Sequence, residues 1–217
     1  MDWHAFPEAD KELLLKSWGF IEAQKQTVAC NIYEMIFNQC PEARKLFPRM
    51  NFSGNKKEFK KSTEFIFQAL RFMQVIEGSV KALDNLSSLD NILDNLGRRH
   101  GKLEMSGKFR SYYWSTFQEC TIFCMRRCLE ESKKINAETV DEMIIVWRTL
   151  IRDVMRKIKI GYNADISLRM TRLEISQEEA RRSSIPSSLH PTDGSTDVSR
   201  SPTPTLHSNP HSVTSLP

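Results

Sequence analysis

Residues 86–102, LSSLDNILDNLGRRHGK, place Leu89, Leu93 and Leu96 three or four positions apart, so they share one face of a helix while charged residues take the other. Ser88 stands just ahead of this run and is the expected N-cap, because a serine oxygen accepts from an unpaired N–H of the first turn. Near the far end comes His100, the only histidine between residues 5 and 189. A neutral imidazole there can ligate a metal; a charged one is a common helix-end cation. The residue alone does not choose between them.

The helical period continues on both sides. Leu14, Trp18 and Ile21 fall on one face of a first helix, and Val28, Ile32, Met35 and Ile36 on one face of a second that starts near Gln26. Pro41 opens a short helical turn, where its missing N–H would be unpaired anyway, and residues 48–57, PRMNFSGNKK, read as a loop. Phe65, Ala69, Phe72, Met73, Ile76 and Val80 mark another stripe. A helix over residues 106–132 carries Phe109, Tyr113, Phe117, Cys120, Cys124 and Cys128 at about four-residue spacing. A last helix follows an Asn136 cap, with Val140, Met143, Ile144, Trp147, Leu150, Ile151, Val154, Met155 and Ile158 inward. The pattern predicts an all-α domain, and no internal repeat suggests a solenoid.

Composition bounds this reading. A chain of 217 residues, 40% hydrophobic and with 8 glycines, supports one core plus an appendage. The net charge of +4 is mild, and the pairs Lys56–Lys57, Lys60–Lys61 and Arg126–Arg127 lack interleaved aromatics, so nucleic acid is not an expected partner. No apolar run approaches the roughly eighteen residues that span a bilayer. The opening MDWHAFPEAD has no signal-peptide pattern, and Asp2 excludes N-myristoylation. Five cysteines without a secreted disulfide spacing agree with a cytoplasmic location. From Ser183 to Pro217 there are fifteen serines and threonines and six of the nine prolines, too little apolar surface to order the segment. The expected layout is an N-terminal extension over 1–7, a folded domain over 8–165, a helical or extended junction over 166–182 and a disordered tail over 183–217.

Spacing across three helices adds a sharper signal. Phe47 follows Pro41 by six positions, Gln68 follows Phe47 by twenty-one, and His100 follows Gln68 by thirty-two. With the segments PEARKLF (41–47) and FIFQALRFM (65–73), this spacing resembles that of globins, and LSSL and LGRRH are similar to neuroglobins in particular. The resemblance covers roughly residues 8–162, and Trp18 and Trp147 fit it too. It implies a globin fold of seven or eight helices packed around a haem b pocket. On that resemblance His100 is the proximal ligand of the haem iron, Phe47 the ring stacked on the porphyrin, and Leu96 a packing residue beneath it. As the sole protein ligand, one imidazole leaves the opposite axial position open to a diatomic gas.

The same resemblance puts Gln68 where many globins carry a distal histidine. A glutamine amide donates a hydrogen bond but ligates iron poorly, so bis-histidine coordination is not expected. Tyr33, fourteen residues before Phe47, matches a distal position on the second helix. Tyr33 and Gln68 together resemble the distal pair of some oxygen-avid invertebrate globins. Phe72 takes a position where globins usually carry a smaller aliphatic, and so crowds the ligand. Arg71, Arg99 and Lys102 either pair with haem propionates or are simply solvated.

The implied function is reversible dioxygen binding, in storage, transport or sensing, rather than enzymatic turnover. The alternatives are haem redox chemistry on the same fold (electron transfer, nitric oxide or peroxide reactions) and a haem-free helical interaction domain. A reductase or a signalling partner acting through the tail is the expected protein contact. Cys120, Cys124 and Cys128 share one helix face, but one rigid helix closes a tetrahedral zinc site poorly, so they read as small buried apolar residues. Ser184 after Arg181 and Arg182, and the Ser-Pro and Thr-Pro steps at Ser201 and Thr203, resemble kinase acceptor sites.

Overall fold

Caps and breakers set where the helices start and stop. The structure, a computed structural model, describes residues 2–47, 62–107 and 109–184. Among these residues there are six α-helices and no strand: α1 (Glu8–Ala23), α2 (Lys25–Gln39), α3 (Thr63–Lys81), α4 (Asp90–Met105), α5 (Tyr113–Glu131) and α6 (Ala137–Ser183). Two short 3-10 turns, Pro41–Leu46 and Leu86–Leu89, follow α2 and precede α4. Pro41 does open the first turn. Asn136 Oδ1 accepts from the Thr139 N–H at 2.8 Å and caps α6, and Ser62 Oγ accepts from the Phe65 N–H at 3.2 Å and caps α3.

Two expected boundaries move. Ser88 does not cap α4: its hydroxyl donates to the Asn85 carbonyl at 2.7 Å, inside the 3-10 turn, and α4 starts behind Leu89 without a side-chain cap. A serine oxygen satisfied by its own local turn has no reason to reach forward. The helix expected from residue 106 begins instead at Tyr113. Gly107, at φ 70, turns the chain left-handed after α4, and the N–H groups of Gly107 and Phe109 fold back on the carbonyls of Glu104 and Leu103 at 2.7 and 3.2 Å.

The core forms where the apolar stripes of α1, α2, α3, α5 and α6 meet. Fully buried Trp147 donates through Nε1 to Ser17 Oγ at 2.8 Å, and its ring lies 6.3 Å from that of Trp18. The N-terminal extension is tied down: Trp3 Nε1 donates to Asp90 Oδ1 at 2.8 Å, and the His4 N–H to buried Asp153 at 2.7 Å. Lys157 also reaches Asp90 at 3.0 Å, so extension, α4 and α6 are stitched together.

The most extensive helix pair is α4 against α6. A Cβ on Gly97 would lie 1.9 Å from the Ile158 carbonyl oxygen, and one on Gly161 would lie 2.1 Å from the Asp94 carbonyl oxygen. Only hydrogen fits between these backbones. His100, one turn past Gly97, is thereby carried on a helix seated against the longest element of the molecule. Residues 166–183 are the last turns of α6 and are exposed from Met170 onward. The loop at 48–57, and the tail with Ser201 and Thr203, lie outside the described residues. Among the described residues, no helix is long and apolar enough to cross a membrane.

Candidate functional site

His100 is oriented by its own helix. Its Nδ1 lies 2.8 Å from the Leu96 carbonyl oxygen, one turn back. A carbonyl only accepts, so Nδ1 carries the proton and the Nε2 lone pair is left free to ligate. Burial lowers the imidazole's pKa, opposed in part by the Leu96 bond, and keeps the ring in its neutral, ligating form at neutral pH. Phe109 and Trp114 wall it at ring distances of 5.2 and 5.0 Å, and Tyr162 lies 5.5 Å behind Trp114. None of these three stood out in the sequence as a site residue. The available signal was the aromatic density of residues 109–114, FRSYYW, running into the first turn of α5.

The distal candidates form a second group. Tyr33, buried on α2, receives a hydrogen bond from Gln68 Nε2 of α3 at 3.4 Å. Its ring meets Phe47 at 5.8 Å, Phe72 at 6.0 Å, Phe65 at 6.4 Å, Phe37 at 5.8 Å and Phe117 at 5.7 Å. Chiefly through burial, the phenol is pushed up to about 12, so it stays a proton-bearing donor. The structure thus brings together Tyr33, Gln68, Phe47 and Phe72, and adds Phe37, Phe65 and Phe117, which sequence reasoning took as core or passed over.

One helix joins the groups: on α5, Trp114 faces His100 and Phe117, one turn later, faces Tyr33 and Phe72. Half-buried Leu96 packs against the core on the His100 side. Arg71, Arg99 and Lys102 are all at the surface, with the Arg71 guanidinium 5.7 Å over the Phe67 ring. A haem fits these residues. The neutral imidazole has one free nitrogen, the walls are aromatic, and the buried Trp114 Nε1 has no hydrogen-bond partner among the described residues.

Other places are less suited. Cys120, Cys124 and Cys128 are buried, and burial pushes the first two thiols up to about 12 and about 11, so both keep their protons at neutral pH. No group of three or more His, Cys, Asp or Glu among the described residues could hold a metal ion. A groove of about 580 Å³ between α2 and α5, lined by Asn31, Glu34, Cys124 and Arg127 among others, borders none of His100, Tyr33 or Gln68.

Comparison with known proteins bears on family and fold. The globin family matches residues 30–155. The chain belongs to the globin family. Its relatives include a neuroglobin from Chaenocephalus aceratus, 34% identical over 93 residues, which are 43% of this globin and 58% of that protein. A globin-related protein, glb-13, from Caenorhabditis elegans is 22% identical over 163 residues, 75% of this chain and 54% of that one. This globin therefore spans a little over half the length of such relatives. A hexacoordinated haem protein from an anhydrobiotic tardigrade shares the fold, with a TM-score of 0.62 at 21% identity over 73% of this chain and 96% of its own. So does the neuroglobin of the acoel Symsagittifera roscoffensis, with a TM-score of 0.57 at 14% identity over 71% and 97%.

Proposed function

We propose that this globin holds haem b through His100 Nε2 and binds dioxygen reversibly, as a store, carrier or sensor rather than an enzyme. The haem supplies reversible binding of a diatomic gas. The chain's residues do the rest. The Leu96 carbonyl fixes the imidazole tautomer, and Phe47, Phe72 and Phe117 keep water out. Arg71 and Arg99, both exposed, are the candidates to pair with the propionates.

The observation that carries the reading is the Gln68-to-Tyr33 hydrogen bond within an aromatic wall. Because the Tyr33 oxygen accepts from Gln68, its own O–H remains to be donated, and the accepted bond polarises it further. With haem bound, that O–H would be the hydrogen-bond donor offered to a polarised diatomic gas. At about 1 to 1.5 kcal/mol for that hydrogen bond, dissociation slows by roughly tenfold. Gln68 is a poor iron ligand and would leave room for the gas rather than compete with it.

The haem-loaded ferrous protein in air should give a persistent oxy spectrum. Rapid oxidation with no oxy intermediate would contradict the reading. A haem redox role is the second reading, and one observation favours it: two oxidisable rings, Trp114 and Tyr162, stand in series behind His100.

A further inference from the structure

Gas binding leaves the far end of α6 without a task, yet its last turn is chemically distinctive. Arg181 and Arg182 stand three and two positions ahead of Ser184, and Ile185 follows it. A basophilic serine kinase reads this pattern: carboxylates in its cleft pair with guanidinium groups ahead of the serine, and an apolar pocket takes the next side chain. The neighbouring Ser183 fits less well, with Ala180 at the third position ahead. Backbone geometry separates the two serines further. Ser183 lies within α6, and its hydroxyl donates to the Glu179 carbonyl at 2.9 Å. Ser184 is the C-cap: its N–H meets the Ala180 and Arg181 carbonyls, both at 3.2 Å, and its hydroxyl donates to the Arg181 carbonyl at 2.8 Å. Every residue from Met170 to Ser184 is exposed. The ion pair across the last turn, Arg182 with Glu178 at 3.2 Å, is 77% and 54% exposed on its two sides. Kinases take their substrates extended, and opening this turn uncovers no buried surface, so it costs little.

We propose that Ser184 is the phosphoacceptor of a basophilic serine kinase, and that its phosphorylation opens the last turn of α6. In the transfer, Ser184 Oγ attacks the γ-phosphorus of ATP. The Oγ–P bond forms, the bond from that phosphorus to the bridging oxygen breaks, ADP leaves with the electron pair, and the hydroxyl proton passes to the kinase's carboxylate base. The product lacks the O–H that donated to the Arg181 carbonyl. It also sets roughly two negative charges beside the bare carbonyls of a helix C-terminus, where the dipole is already negative. The phosphate competes with Glu178 for Arg182, so the ion pair that spans the last turn is weakened as well. Because the outer turns of α6 bury no stripe against the core, the opening stops there and leaves α4 and His100 in place. The proposal therefore stands whether or not the chain carries haem.

The test incubates the full chain with magnesium ATP and the catalytic subunit of cyclic-AMP-dependent kinase, a basophilic probe, and maps phosphate by tandem mass spectrometry. Phosphate is expected at Ser184, with Ser183 bare. Ser184→Ala removes it, and Arg181→Ala lowers kcat/KM for the chain about tenfold, the loss of one charge-assisted hydrogen bond. Both substitutions fall on exposed helix outside the core, so neither disturbs folding. A chain that takes up no phosphate, or one whose phosphate sits on Ser183 or other serines and is undiminished by Ser184→Ala, would overturn the acceptor assignment. Hydrogen exchange read by mass spectrometry tests the opening. In the phosphorylated chain the amides of residues 180–184 should exchange about fivefold faster, the size of a charge effect at a helix end, while the peptide that contains His100 exchanges as before. Equal exchange at 180–184 in the two forms would refute the opening, and faster exchange around His100 would refute its confinement to the end of α6.

Discussion

Tyr33 can donate a hydrogen bond only while it keeps its proton, and its surroundings see to that. With the phenol pushed up to about 12 by burial, the oxygen off-rate should be flat from about pH 6 to pH 10, where an ordinary tyrosine begins to ionise. Tyr33→Phe should raise that rate about tenfold, the loss of one hydrogen bond; flash photolysis or stopped flow measures both. For stability the raised pKa has a definite sign. The contribution of Tyr33 is complete below about pH 10 and is lost as pH rises towards 12. His100 has the opposite sign, since burial lowers its pKa. Its contribution to the haem-free protein is complete above about pH 6.5 and is lost as pH falls, because the unfolded chain takes up the proton first. Urea midpoints at pH 7.5 and pH 5 should therefore fall less in His100→Gln than in the wild type. The likeness of Tyr33, Gln68 and His100 to a globin site was legible from spacing. Trp114 and Tyr162 were not, because a buried aromatic that lines a site has the same hydropathy as one that fills a core.

The pairing of α4 with α6 decides where the His100 imidazole stands. Gly97→Ala would push a methyl group to within 1.9 Å of the Ile158 carbonyl oxygen, a rigid backbone atom, so the helices must part. A loss of about 3 kcal/mol is expected, read as a lower urea midpoint together with faster haem loss to an acceptor globin. An alanine tolerated on both measures would show that the close crossing is dispensable. Helix periodicity reveals which faces are apolar, and so α1, α2, α3 and α6 could be read before any coordinates. It is silent about backbone approach, since glycine has no side chain to place in a stripe. Periodicity also ran through Gly107 and began α5 too early, for Phe109 keeps the four-residue beat while sitting in the connection that brings it against His100.

At the scale of the whole molecule, the globin body and the outer part of α6 behave as separate problems. From Met170 to Ser184 every residue is exposed, so these turns bury no stripe against the core. A chain ended after Met170 should keep the Soret band of the full chain, and a urea midpoint corresponding to within about 1 kcal/mol, as expected for exposed helix without tertiary contacts. A larger loss would mean that this segment supports the haem site. Fold class and chain order were readable from the sequence because both follow from apolar patterning and from the Pro41, Phe47, Gln68 and His100 spacing. The state of the iron was not, for it depends on one bond. The most direct test is the resonance Raman spectrum of the deoxy-ferrous, haem-loaded full chain. A five-coordinate iron–imidazole stretching band is predicted, lost in His100→Gly and restored by added imidazole. A six-coordinate ferrous spectrum without that band, or a His100→Gly variant that retains it unaltered, would contradict the account.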